Sequence, residues 1–203
     1  ILSFFFDIQN ISEIVDEATS TFFHPDIVPL TQVGQAYLLE LYHGPSFAFK
    51  DIALQILPKI IQPKVKTTIL TATSGDTGSA ALEGFKNNKD FEIFVFYPSI
   101  GISEIQRRQM TCVNASNVHV YGIKGNFDDA QKAVKDIFQS DLREQMQLSS
   151  ANSINLGRLV PQIAYYCDAY RQLINAKTIN LGDEIVVSVP TGNFGNILAA
   201  FYA

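Results

Sequence analysis

From residue 67 onward, short runs of β-branched and aromatic residues alternate with stretches in which apolar positions recur every three to four residues. Thr67–Thr71, Phe91–Tyr97, Asn117–Ile123 and Glu184–Val189 are the short runs, and they predict strands. Helical spacing covers Thr77–Asn87, Ser103–Cys112, Asp128–Ser140 and Gly157–Ala176. Strands alternating with helices of this length predict an α/β protein, with parallel sheets flanked by helices and right-handed crossovers. Before residue 67 the pattern is less regular. Residues 1–30 predict one or two short helices, closed by the Pro-containing loop Phe22-Phe23-His24-Pro25-Asp26. Tyr37–Leu41 predicts a short strand, and the helix after it starts near Lys50 and runs toward Pro58 or Pro63.

The stretch Tyr42-His43-Gly44-Pro45-Ser46-Phe47-Ala48-Phe49-Lys50-Asp51 places a lysine in the first turn of that helix, with Phe47 and Phe49 as neighbours. The positive end of the helix dipole and the apolar surroundings both disfavour the ammonium form. A lysine tuned in this way can form a Schiff base with a carbonyl cofactor. Taken alone, the ten residues fit a surface lysine after a turn as well.

In parallel sheets ligands bind beyond the carboxyl ends of the strands, which directs attention to three loops. Ala72-Thr73-Ser74-Gly75-Asp76-Thr77-Gly78-Ser79 brings hydroxyls to a helix start, a receptor for a carboxylate, although capping by Ser74 or Thr77 would need only one of them. Pro190-Thr191-Gly192-Asn193-Phe194-Gly195-Asn196 could cradle a phosphate on backbone N–H groups, or be a plain tight turn; it is neither a Walker loop nor GxGxxG. Ser149–Arg158 is a polar run ending in an arginine, suited to a dianionic phosphate or to a capped surface loop. Gly125–Ala130 reads as an N-cap with acids in the first turn, so Asp128 and Asp129 are structural. His24, His43 and His119 have no metal or triad spacing and are also expected to be structural.

At 203 residues and 47% hydrophobic, the chain can bury a substantial core. A formal charge of −5 without basic runs argues against nucleic-acid and polybasic membrane contacts and leaves small molecules as the expected partners. Cys112 and Cys167 stand far apart without a CxxC and read as buried thiols in a reducing compartment, with no metal site. The opening Ile1–Asn10 is too short to span a bilayer and lacks the basic flank of a signal peptide, so a cytoplasmic location is expected. With no initial Met and an incipient helix at Asn196–Ala203, the chain reads as a piece of something longer.

Taken together, HGPSFAFKD, ILTATSGDTGSAA, YPSIGISEIQRRQM, IKGNFDDAQKAVKD, SANSINLGRLVPQ and VPTGNFGNILA resemble, in order and spacing, the bacterial and fungal branch of the threonine synthases. That family belongs to the fold-type II enzymes, similar to the tryptophan synthase β chain, which use pyridoxal 5′-phosphate (PLP). The resemblance implies that Lys50 carries PLP and that Gly192, Asn193, Phe194, Gly195 and Asn196 hold the cofactor phosphate. It further implies that Thr73, Ser74, Asp76 and Thr77 surround the substrate carboxylate, and that Ser153, Asn155 and Arg158 take the substrate phosphate. Two positions depart from the wider pattern: Ser46 replaces a common Thr, and Asp76 stands where the PLP superfamily usually has Asn, as it does throughout this branch. The implied division is 1–66 as an N-terminal segment leading to the lysine helix, 67–176 as a smaller α/β domain, and 177–203 as the start of a larger PLP-binding domain. The implied reaction converts O-phospho-L-homoserine and water to L-threonine and phosphate, and the 203 residues alone are expected to be inactive. A serine or threonine dehydratase-like lyase, or a non-catalytic relative that binds PLP or a phosphometabolite, are the alternatives.

Overall fold

The protein is described by a computed structural model that covers residues 1–152, 155–190 and 192–203. Two short helices come first, α1 (Leu2–Phe5) and α2 (Ile11–Thr19), as the sequence leads one to expect. An antiparallel hairpin follows, β1 (Leu30–Val33) and β2 (Ala36–Leu39), turning at Gly34 and Gln35. Only its second arm was predicted; β1 was missed because its residues are largely exposed and show no buried alternation. Helix α3 (Asp51–Ile60) accommodates Pro58 in its last turn and ends before Pro63.

A four-stranded sheet then organises the chain: β3 (Thr67–Ala72), α4 (Asp76–Phe85), β4 (Phe91–Pro98), α5 (Glu104–Thr111), β5 (Val118–Ile123), α6 (Phe127–Gln139), α7 (Leu142–Gln145), β6 (Leu148–Ser150) and α8 (Leu156–Asn175). Its order is β5-β4-β3-β6 and every pairing is parallel. The chain builds outward from β3 through β4 to β5, then returns to lay β6 on the other side of β3. The direction of winding therefore reverses between β3 and β6, and the crevice beyond their carboxyl ends is where such sheets accept ligands.

Strand β3 is buried along its whole length, as a central strand between two helical layers must be. Its Ile69 joins Leu54, Leu57, Leu82 and Phe85 on one face, while Leu70 and Ala72 meet Ala130 and Val134 of α6 on the other. Helix α3 lies in the first layer against α4 and α8. At Gly84 the approach is so close that an added Cβ would sit 2.0 Å from the Leu54 carbonyl oxygen. One apolar cluster thus unites α3 with the sheet across residue 66.

Three expectations need correction. Glu184–Val189 is not in a ladder: no strand lies beside it among the described residues, and Val186 is 99% exposed. A β-branched run without a neighbour to bond has no sheet to join. Conversely β6, three residues long, was read as part of a polar loop because Ser149 and Ser150 disguise it. Cys112 is exposed, since it falls on the C-cap of the polar helix α5, and Cys167 is half-buried. Helix α9 (Gly195–Tyr202) closes the chain against α8. Among the described residues no helix is long and apolar enough to cross a membrane.

Candidate active site

Lys50 is the N-cap residue of α3, one position ahead of the predicted first turn. The turn that delivers it is built by the next residue. Asp51 is fully buried; its Oδ2 accepts from the Ser46 amide at 2.9 Å and, more weakly, from the Ala48 amide at 3.4 Å, while Oδ1 accepts from the Ser46 hydroxyl at 2.6 Å. Gly44 leaves room for that carboxylate, because a Cβ there would lie 2.4 Å from Asp51 Cβ. Phe47 is held at φ 59°, a left-handed conformation that costs a bulky residue energy and persists only where the surroundings enforce it. Sequence reading overlooked Asp51 as an organiser; an acid directly after the lysine at a helix start was the available signal.

The Lys50 side chain is 13% exposed, and its ammonium lies 4.2 Å from the centre of the Phe49 ring. Burial pulls its pKa below the ordinary lysine value, opposed by Asp76 and reinforced by the positive charge of Arg158. Lys50 Nζ donates to Asp76 Oδ2 at 2.6 Å. Burial acts on the lysine in the expected direction, but its company is less apolar than expected: Phe47 is exposed, and Asp76 and Arg158 face the amine.

Thr73 is engaged within its own loop. Its hydroxyl accepts from the amides of Gly75 and Gly78 at 3.0 and 3.1 Å and donates to the Gly75 carbonyl. It supplies the capping expected of Ser74 or Thr77, neither of which caps α4. Ser74 is exposed and Thr77 half-buried at the mouth of the loop.

On the facing wall Arg158 is 6% exposed. Its Nη1 donates to the Ala151 carbonyl at 3.0 Å and Nη2 reaches Thr77 Oγ1 at 3.5 Å, and no carboxylate lies within ion-pair distance among the described residues. Burial lowers its pKa to about 10, with Asp76 acting in the opposite sense. Asn155 is taken up in structure: Oδ1 caps α8 at the Gly157 amide and Nδ2 donates to the Ser150 carbonyl. Ser153, the third predicted phosphate ligand, lies outside the described residues.

Lys50, Arg158, Gln162, Gly192, Asn193 and Asn196 line one cavity of about 190 Å³. The Gly192–Asn196 turn leads into α9, whose N-terminus has no side-chain cap. Asn196 is buried and accepts from the Tyr166 hydroxyl, which fixes α9 to α8, while Phe194 is exposed. A larger hollow of about 560 Å³ opens between α2, α3 and α8, lined by residues such as Val15, Ile56 and Pro161. Neither Lys50 nor Arg158 lines it, which makes the smaller cavity the candidate site.

No family model matches the chain. It is 39% identical over 210 residues to the threonine synthase of Schizosaccharomyces pombe, covering 96% of this chain and 40% of that protein. The PLP-bound threonine synthase from Brucella melitensis superposes with a TM-score of 0.78 at 41% identity, over 93% of this chain and 41% of that one. The chain is a relative of the threonine synthases. It is also 45% identical over 186 residues to human threonine synthase-like 1, covering 84% of this chain and 25% of that protein. Against these threonine synthase relatives the chain spans about two-fifths or less of their length. The architecture is the fold-type II arrangement of the threonine synthases, present here in part.

Proposed function

We propose that the full-length protein is a threonine synthase, which converts O-phospho-L-homoserine and water to L-threonine and phosphate with PLP attached to Lys50. The observation that carries this reading is Arg158. A guanidinium only 6% exposed, with no carboxylate partner among the described residues, is costly unless an anion completes the site, and the phosphorylated substrate that the sequence resemblance implies would be such an anion. The residues present fit the cofactor: an amine with a lowered pKa shares its cavity with the uncapped N-terminus of α9. The backbone of Gly192, Asn193, Phe194, Gly195 and Asn196 would hold the cofactor phosphate.

PLP bound there supplies an electron sink that makes the substrate Cα–H bond acidic. Lys50 Nζ, when neutral, is placed to take that proton and to return protons later in the reaction. Ser74, Thr77 and the first amides of α4 hold the substrate carboxylate, with Thr73 keeping their loop in shape. Arg158 grips the substrate phosphate in a planar fork, and Asn155 serves it by capping the helix on which it stands. Fixed donors of this kind need no reorganisation during the reaction. The free cysteines agree with a reducing, cytoplasmic setting.

Full-length protein supplied with O-phosphohomoserine should yield threonine and phosphate in equal amounts. Borohydride reduction should fix the cofactor to the peptide containing Lys50. Arg158→Ala should raise KM for the phosphorylated substrate by about tenfold or more while cofactor attachment persists. Release of ammonia and a 2-oxo acid instead of threonine would favour a dehydratase, and no turnover with bound cofactor a non-catalytic relative.

A further inference from the structure

We propose that Asp76 is the proton partner of Lys50, taking a proton from Nζ so that the amine can act as nucleophile and base. The inference rests on the reading of Lys50 as the cofactor lysine. It also reassigns Asp76, because an ionised carboxylate repels the substrate carboxylate that the sequence resemblance would place beside it.

Three observations converge on the pair. Asp76 Oδ2 is 2.6 Å from Lys50 Nζ, within range for direct transfer. The other nearby acid, Asp51, is occupied with the Ser46 and Ala48 donors and acts on the lysine only through space. Finally, the two ends of the pair differ in exposure: the lysine side chain is 13% exposed and the aspartate 45%. A largely buried amine meets less water with which to exchange its proton than a half-exposed carboxylate does, and the contact is thus a path from the Lys50 amine toward solvent. As an ion pair with one wet member it adds little to stability, which leaves the proton path as its consequence.

The step balances simply. An N–H bond of the Lys50 ammonium breaks, its electron pair stays on Nζ, and an O–H bond forms on Asp76, which then releases the proton to water. Charged groups facing Nζ are Asp76 from α4, Arg158 from α8 and Asp51 from α3. Arg158 and burial favour the neutral amine; the two acids favour the ammonium.

The test uses full-length protein freed of cofactor. Reductive methylation with formaldehyde and cyanoborohydride, followed by mass spectrometry of the Lys50 peptide, gives a pH profile of that amine independent of turnover. In Asp76→Asn the midpoint should fall by about one pH unit, since a charge-assisted hydrogen bond to the ammonium is lost. Asp76→Ser should behave alike, and serves if the Asn variant does not fold. Attachment of PLP, followed by absorbance at pH values below the Lys50 midpoint, should slow by about a hundredfold in Asp76→Ser, and formate should restore part of the rate. An unmoved midpoint, or a slow variant that formate does not rescue, overturns the proposal. Capture of the cofactor at a residue other than Lys50 in the parent protein would instead overturn the reading of the site.

Discussion

Removing the Asp51 carboxylate tests whether one buried acid shapes the turn that presents the lysine. Asp51→Ala leaves the Ser46 amide and hydroxyl without acceptors in a region where Ser46 is itself buried. Each orphaned buried donor costs about 1–3 kcal/mol, and the long Ala48 contact adds little. Burial of the carboxylate is itself unfavourable, so its removal returns part of that sum, and the expected net loss is about 2–4 kcal/mol. Asp51→Asn keeps one acceptor and should lose about half as much. Urea unfolding of the cofactor-free protein, followed by far-UV circular dichroism, measures both. The pH dependence has a definite sign. Burial raises the Asp51 pKa above 3.8, so the folded state binds its proton more tightly than the unfolded chain. Its ionisation therefore subtracts stability as pH rises from 3.8, until the folded value is passed. The deficit of Asp51→Asn against the parent should accordingly be greatest in acid and shrink toward neutral pH. Gly44→Ala, which pushes on the same carboxylate, should destabilise too, and the double variant should lose less than the sum of the two. A loss below about 0.5 kcal/mol for Asp51→Ala, or strict additivity with Gly44→Ala, would refute the account of the turn.

Two further predictions concern the lysine and the helix crossing beneath it. Because the folded pKa of Lys50 is lowered from 10.5, its burial cost is present at neutral pH and disappears as pH rises through the folded value to 10.5. Lys50→Met should therefore raise the melting temperature of the cofactor-free protein at neutral pH, with a gain that shrinks as pH approaches 10.5; an equal gain at all pH values would contradict this. Gly84→Ala would improve helix propensity by about 1 kcal/mol, but its Cβ meets the Leu54 backbone, which cannot swing aside as a side chain would. A net loss of about 1–3 kcal/mol is expected by thermal unfolding, and a stabilised variant would show that α3 and α4 part easily.

What the sequence disclosed depended on how local the cause was. Strands β3, β4 and β5 and helices α4, α5, α6 and α8 were legible because each has the period that its burial demands, and Asn126 forms its capping box from residues within one turn. The parallel sheet followed from their alternation. Strand β6 was not legible: three residues are too few for a period, and only pairing with Thr68, Ile69 and Leu70 makes them a strand. At Glu184–Val189 the opposite error arose, since β-branched composition reports suitability for a sheet and says nothing of whether a partner strand is present. Within the site, the positions of Lys50 and Arg158 were readable from residue type and helix start. Which hydroxyls and amides would be used up in holding the loops was not, because Thr73 and Asn155 bond backbone groups two to five residues away, and residue type does not separate a side chain held by its own loop from one left to a ligand.

That commitment explains why so polar a loop surrounds one arginine. Arg158 is anchored through the Ala151 carbonyl, immediately after β6, and β6 is held to β3 by only three residue pairs. So short a ladder leaves the end of the strand poorly determined on its own. The polar side chains supply the missing constraints: Asn152 donates to the Ala72 carbonyl across the crevice at 3.1 Å, Asn155 donates to the Ser150 carbonyl at 2.9 Å, and the Ser150 hydroxyl accepts from the Asn152 amide. Each bond ties the loop to the carboxyl end of β3 or β6, the point from which α4 and the Thr73–Thr77 loop also depart. The guanidinium and the α4 N-terminus are therefore referenced to the same strand ends. On the proposed reading, a ligand that spans carboxylate and phosphate would meet two receptors whose separation is set by the sheet rather than by flexible side chains. Side chains that look like ligands by residue type are used here to hold the two loops in register, and fixing that register is a large part of what orienting a substrate requires.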